Sequence, residues 1–196
     1  MFIVFDGIDG CGKSAQMDIL AKYLFEVNKY NHLVLTREPY KAREIREILK
    51  KEEPAEEKAE KLAELFLKDR KEHVEEIILP NLRDNIIIIC NRYKYSTIAY
   101  QSAQGQDTKK LIEMHKGMPV PDYIFIVDAP SEIASDRMKK DSRSKHKFEK
   151  NLEFLEKVRQ NYLKMKDFFP AENIIIINGE KSIEEISEEI KRYFQK

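Results

Sequence analysis

The chain has 196 residues, with 35 Lys and Arg balanced by 35 Asp and Glu, and two cysteines. That length suits one α/β domain with a sizeable core, and the even charge supplies no field that would draw nucleic acid or an anionic membrane. No apolar run approaches the ~20 residues of a membrane-spanning helix, and two cysteines make neither a disulfide framework nor a zinc site.

In chain order, the apolar run Phe2-Ile3-Val4-Phe5 predicts a first strand over 2–6. No basic segment and apolar core of a secretory signal precede it, so Cys11 and Cys90 read as free thiols of a reducing, cytoplasmic compartment. The strand runs into Gly7-Ile8-Asp9-Gly10-Cys11-Gly12-Lys13-Ser14, a full match to G-x-x-x-x-G-K-[ST]. A strand turning sharply into a helix aims successive backbone N–H groups and the helix N-terminus at one point, which suits an anion. The glycines let the main chain close on that anion. Lys13 would then reach the β- and γ-phosphates of a nucleotide, and the Ser14 hydroxyl would bind Mg²⁺. The expected ligand is therefore a nucleoside triphosphate with Mg²⁺. Asp9 is either an ordinary loop carboxylate or one with a specific task, since a negative charge beside bound phosphates is electrostatically awkward.

Helical spacing then covers 15–28, and a second strand covers 33–36, with Arg37 just past its end. Helices are predicted at 42–51 and 55–79, a strand at 86–90, and helices at 96–104 and 108–116. A strand at 123–128, helices at 131–140 and 148–168, a strand at 174–177 and a helix at 183–194 complete the chain. Pro39, Pro54, Pro80, Pro119, Pro121 and Pro170 fall at the expected breaks. Strands that are almost wholly Ile, Val and Phe suit a parallel sheet buried on both faces, and strand–helix alternation implies right-handed crossovers with helices on both sides. The expectation is one α/β domain over 1–196, a three-layer P-loop fold around a five-stranded parallel sheet.

Several side chains invite a functional reading beside a structural one. Arg37 and Arg92 each follow a strand end, where a guanidinium makes either a bidentate phosphate contact or a surface salt bridge. Phe66 and Arg70 lie four residues apart and share a helix face, so Phe66 is either a stacking partner for a base or a core aromatic. Residues 137–147 carry Arg137, Lys139, Lys140, Arg143, Lys145, His146 and Lys147, a charge run that is either solvated surface or a basic lid. Cys11 is either a thiol with a lowered pKa or a tolerated small residue.

Five separated segments together resemble the thymidylate kinase family, within the nucleoside monophosphate kinases. They are Phe5-Asp6-Gly7-Ile8-Asp9-Gly10 with Gly-Lys-Ser; Thr36-Arg37-Glu38-Pro39; Leu65-Phe66 through Asp69-Arg70 to His73-Val74-Glu75-Glu76; Asn91-Arg92-Tyr93 with Ser96 and Ala99-Tyr100-Gln101; and Pro121-Asp122 with Asp128, Pro130, Glu132, Ala134 and Arg137. Lys147-Phe148-Glu149 and Val158-Arg159 with Tyr162 extend the likeness.

The resemblance implies transfer of phosphate from ATP to dTMP, giving ADP and dTDP for dTTP biosynthesis, in a cytoplasmic homodimer. It implies that residues 7–15 (Gly7 to Ala15) and Arg137 hold ATP, with Arg137 covering the adenine. It further implies that Asp9, Arg37, Phe66, Arg70, Arg92, Ser96, Tyr100 and Gln101 hold dTMP. Lys13, Arg92, Asp9 and Arg143 are the implied catalytic set, with Arg143 on a lid spanning about 138–148. Three departures from the family pattern stand out. Asn91 replaces an aspartate that helps to position Mg²⁺, Ala15 replaces a hydroxyl residue after Ser14, and Tyr40-Lys41-Ala42 fills a loop that is usually glycine-rich. They leave open a kinase for another pyrimidine monophosphate such as dUMP, or a weakened paralogue. A guanine-specific switch is disfavoured, because Asn28-Lys29 is followed by Tyr30-Asn31 instead of completing N-K-x-D.

Overall fold

A computed structural model describes residues 1–41, 43–50, 59–140 and 152–195. Five strands form one parallel sheet: β1 (Phe2–Asp6), β2 (Leu33–Arg37), β3 (Ile87–Asn91), β4 (Tyr123–Asp128) and β5 (Ile174–Asn178), in the order β2-β3-β1-β4-β5. Every strand lies within a residue of its sequence-based position. The central strands carry no water-facing side, so they read as continuous apolar runs: Ile3, Val4 and Phe5 on β1 and Ile88 and Ile89 on β3 are fully buried. Register sets the rim of the site. Phe5 pairs with Asn91, and Asn91 in turn pairs with Arg37, so the C-terminal ends of β1, β3 and β2 lie side by side.

Around the sheet run α1 (Lys13–Val27), α2 (Arg43–Lys50), α3 (Ala59–His73), α4 (Leu79–Arg83), α5 (Lys94–Ala103), α6 (Thr108–Met114), α7 (Ser131–Lys140), α8 (Leu152–Leu163), α9 (Met165–Phe168) and α10 (Ile183–Lys191). Contacts divide them into two sets: α1 packs against α10, whereas α5 packs against α3, α6 and α8. The chain leaves β1 for the sheet edge at β2 and then returns across the sheet. With right-handed connections, this reversal puts the two sets on opposite faces and opens a crevice at the C-terminal ends of β1 and β3.

One expected break is absent. The helix predicted to stop before Pro80 continues through it, by way of a single π-helical turn, Val74–Ile78, that joins α3 to α4. Proline lacks an N–H, and in an α-helix its ring clashes with the carbonyl four residues back. The wider turn, closed by the Leu79 N–H on the Val74 carbonyl, relieves that clash. The helix expected at 148–168 is divided instead, into α8 and α9, and its predicted start lies outside the described residues. Also outside them are Ala42, the segment 51–58 with Pro54, and 141–151, which includes Arg143, Lys145, His146, Lys147 and most of the expected lid.

Candidate active site

At the tip of β1 the chain turns through Gly7 and Gly10, both with left-handed backbones (φ 137° and 78°). A Cβ on Gly7 would stand 2.6 Å from the Val127 carbonyl oxygen, and one on Gly10 would stand 2.2 Å from that of Ala134. Only glycine lets the loop lie this close to β4 and α7. The Lys13 ammonium folds back across the loop, donating to the carbonyls of Gly7 (3.0 Å) and Ile8 (2.7 Å) beside the buried Cys11 sulfur. Helix α1 follows Gly12 with no side-chain cap, so its first N–H groups remain available to an anion. Ser14 is exposed at this helix start and accepts from Asn91 Nδ2 at 3.2 Å. Ala15, half-buried, follows it in α1. On the far side, Arg137 of α7 donates to the carbonyl of Gly179 (2.7 Å), just beyond β5, and lies 3.5 Å from that of Cys11.

Arg92 follows β3 with its N–H still bonded to the Phe5 carbonyl (2.8 Å) and its φ at 71°. That left-handed turn is uncommon outside glycine and sends the side chain back over the tip of β1. There one guanidinium nitrogen donates to Asp9 at 2.7 Å, and the other donates to Ser96 at 2.8 Å and Tyr162 at 3.3 Å. Ser96 and Tyr162 in turn donate to Asp6 Oδ1 at 2.6 and 2.7 Å. Asp6 is wholly buried and also accepts the N–H groups of Gly7 and Tyr93. Burial pushes the Tyr162 hydroxyl up, with Asp6 adding to the effect, and burial with Asp9 does the same for Tyr100. Both phenols therefore stay protonated and serve as donors. Burial alone would raise the Asp9 carboxyl, but the charges of Arg92 and then Lys13 outweigh it and hold the group at about 2. Asp9 thus ties the Gly7–Ser14 loop to Arg92 as a fixed anion.

Beyond Arg92 opens a cavity that encloses about 620 Å³ together with its open mouth. Asp9, Phe66, Arg70, Arg92, Ser96, Tyr100 and Gln101 all line it, together with Glu38, Pro39, Leu49, Thr97 and Gln104. Seven side chains singled out from the sequence therefore meet in one place. Arg37 is not among them. It is exposed at the end of β2, one strand beyond Asn91, on the rim.

Arg70 is only 1% exposed. Its Nε donates to Glu38 at 2.8 Å, and Nη2 lies 2.6 Å from the same carboxylate oxygen and donates to the Tyr93 carbonyl and the Thr97 hydroxyl at 3.1 Å each. Nη1 meets His115 Nε2 at 2.5 Å. Glu38 also bonds His73, whose other ring nitrogen meets Thr36 Oγ1. The loop 38–41 is pinned by Asp69, which accepts the N–H groups of Tyr40 (2.5 Å) and Lys41 (2.8 Å), while the Tyr40 ring stacks on His73 at 4.9 Å. Side chains thus fix the loop in which the sequence lacks glycines. The Gln101 amide donates to Gln104, which leaves its buried Oε1 without a hydrogen-bond partner.

Asp6, Glu38, Asp69 and His115 were not singled out as site residues by sequence reasoning. Asp6 carried one usable signal, a carboxylate ending an otherwise apolar strand. The partners of His115 and Asp69 lie 45 and 28–29 residues away, and no local pattern announces them.

Among the described residues no group of three or more His, Cys, Asp or Glu could hold a metal ion, and no helix is long and apolar enough to cross a membrane. The exposed Ser14 hydroxyl beside the Asn91 amide nevertheless fits Mg²⁺ that arrives on phosphate oxygens and keeps most of its waters.

Residues 5–190 match the sequence pattern of the thymidylate kinase family. The probable thymidylate kinase of Pyrococcus horikoshii is 40% identical over 195 residues, covering 96% of this chain and 93% of that one. The thymidylate kinase of Fervidobacterium nodosum is 39% identical over 202 residues, covering 99% and 98%. The crystal structure of thymidylate kinase from Ehrlichia chaffeensis superposes with a TM-score of 0.77 at 30% identity, over 100% of this chain and 98% of that one.

Proposed function

The chain belongs to the thymidylate kinase family, and from that premise we propose that it transfers the γ-phosphoryl group of ATP to dTMP, giving ADP and dTDP. The observation that carries the choice of acceptor is the polar pair in the cavity wall. Arg70 has one N–H to spare, and the buried Gln101 Oε1 lacks a donor. A 4-carbonyl and an N3–H supply what each wants, and thymine and uracil have both. Cytosine has a 4-amino group and a bare N3, so it would leave two buried polar groups unpaired, which is a strong basis for rejection.

With the base between Phe66 and this pair, the acceptor phosphate reaches Arg92. That guanidinium is already braced by Ser96 and Tyr162, and Arg37 stands on the rim beside it. Tyr100, bonded to Asp9, faces the sugar. On the donor side the loop amides, Lys13 and the start of α1 cradle the triphosphate, and Arg137 covers the adenine. The Ser14 hydroxyl, with Asn91 beside it, would hold Mg²⁺, which when bound would supply neutralisation of the triphosphate charge. Phosphoryl transfer asks mainly for positioning and charge neutralisation. An acceptor phosphate oxygen attacks the γ-phosphorus while ADP leaves, and Lys13 and Arg92 separate the two anions on either side of Asp9. The 1–196 domain works in the cytoplasm as a homodimer on this reading, and light scattering of the purified protein checks the assembly.

Initial rates with ATP and Mg²⁺ and with dTMP, dUMP, UMP or dCMP test the assignment. We expect dTMP to give the highest kcat/KM and dCMP to lie at least ~100-fold lower, the scale set by unpaired buried polar groups. A preference for dUMP or dCMP would reassign the acceptor.

A further inference from the structure

Taking dTMP as acceptor, we infer that His115 is a positioning residue for base recognition: as an acceptor at Nε2 it holds the Arg70 fork so that a single N–H is left for the base. A guanidinium has five N–H donors in a rigid plane. In Arg70, Nε serves Glu38, the two Nη2 protons are shared among the same Glu38 carboxylate, 2.6 Å away, the Tyr93 carbonyl and Thr97, and one Nη1 proton serves His115. The fifth, on Nη1, has no protein partner among the described residues, and Arg70 lines the cavity. His115 is the ligand of the very nitrogen that carries this spare proton, so it fixes the direction of the spare N–H more directly than any other neighbour.

The imidazole can accept only as one tautomer. Its Nδ1 lies 2.7 Å from the Leu111 carbonyl, one turn back along α6, and a carbonyl needs a donor. The ring proton therefore resides on Nδ1, which leaves Nε2 bare toward Arg70. A second proton is disfavoured first by burial and then by the charges of Arg70 on α3 and Lys94 on α5. The Leu111 carbonyl thus selects the tautomer, the tautomer selects the acceptor, and the acceptor orients Arg70. Neither α6 nor His115, the residue that caps its C-terminal end, lines the cavity, so the contact with Arg70 links α6 to the acceptor base.

Two variants separate this role from simple packing. His115→Leu fills the space without an acceptor, and His115→Gln restores a carbonyl oxygen. For His115→Leu we expect KM for dTMP to rise roughly three- to tenfold, the scale of one hydrogen bond. Its kcat should stay within about twofold, and the dTMP to dCMP preference should shrink by a similar factor. His115→Gln should recover most of both. Independently of any variant, nitrogen-15 spectra of the wild-type histidines should show His115 as the neutral Nδ1–H tautomer from pH 5 to 8, with or without dTMP. An unchanged KM and base preference in His115→Leu, or a wild-type His115 that is protonated or carries its proton on Nε2, overturns the inference. Should His115→Leu fail to fold, His115→Gln and the wild-type spectra decide it. A wild-type enzyme that does not prefer dTMP over dCMP refutes the acceptor assignment instead, a result separate from the tautomer.

Discussion

Asp9 shows how one side chain gains meaning from its neighbours. With its carboxyl held at about 2 by Arg92 and Lys13, it is an anion throughout the working range. The rate should therefore show no acid limb from Asp9 above about pH 4, and a profile of kcat/KM against pH checks this. Asp9→Asn keeps the shape and loses the charge that tethers Arg92, so we expect kcat/KM to fall roughly tenfold or more, the scale of a lost charge-assisted contact, with its pH dependence unchanged. Asn91 presents the reverse case. Its amide donates to Ser14 Oγ, so the hydroxyl proposed to hold Mg²⁺ faces a dipole where the family pattern places a charge. For Asn91→Asp, Coulomb attraction to a dication a few ångströms away is on the order of 1–2 kcal/mol in water. The Mg²⁺ concentration giving half-maximal rate should fall roughly tenfold, and a metal titration at saturating nucleotide measures it.

Elements matter here chiefly for what they present at their ends. The loop after β2 is held by Asp69 on α3, which accepts two main-chain N–H groups at once. Asp69→Ala leaves both without that acceptor, and we expect a loss of ~1–3 kcal/mol in chemical denaturation together with a raised KM for dTMP. The five strands and the phosphate loop were legible because their signals are local: continuous apolar runs, and glycine spacing that leads into a lysine. Arg92, Phe66 and Arg70 were legible through their sequence company. The π turn before Pro80 was not, because proline marks a break in sequence, whereas the wider turn, with His73 before it and Ile78 at its end both buried, carries the helix past it. Nor were Glu38, Asp69 and His115, whose roles are set by partners brought near only when α3, α5 and α6 close around one cavity.

For the whole molecule, His115 makes stability depend on pH. Burial, and then the Arg70 charge, hold its imidazole down at about 3, against ~6.5 in an unfolded chain. Below pH ~6.5 the unfolded state binds a proton that the folded state refuses, so stability falls with decreasing pH by up to ~1.4 kcal/mol per unit until about pH 3. Above pH ~6.5 this contribution is complete. Denaturation of the wild type and His115→Gln between pH 7 and 5 should give a steeper decline for the wild type, and parallel curves would contradict the assignment. The N-terminal end of α5 is fixed by ion pairing: Lys94, buried above the Phe169 ring, pairs with Glu172 at 2.5 Å, and Tyr95 donates to the same carboxylate. Both halves of the catalytic centre therefore hang from two neighbouring strands. The Gly7–Ser14 loop begins where β1 stops, and the Arg92 N–H is still bonded to the Phe5 carbonyl of that strand. Adjacent strands keep a spacing of about 4.8 Å that side-chain motion barely alters. The gap across which the phosphoryl group moves is thus gauged by the sheet itself, so nucleotides and loops can breathe while the ruler between donor and acceptor stays constant.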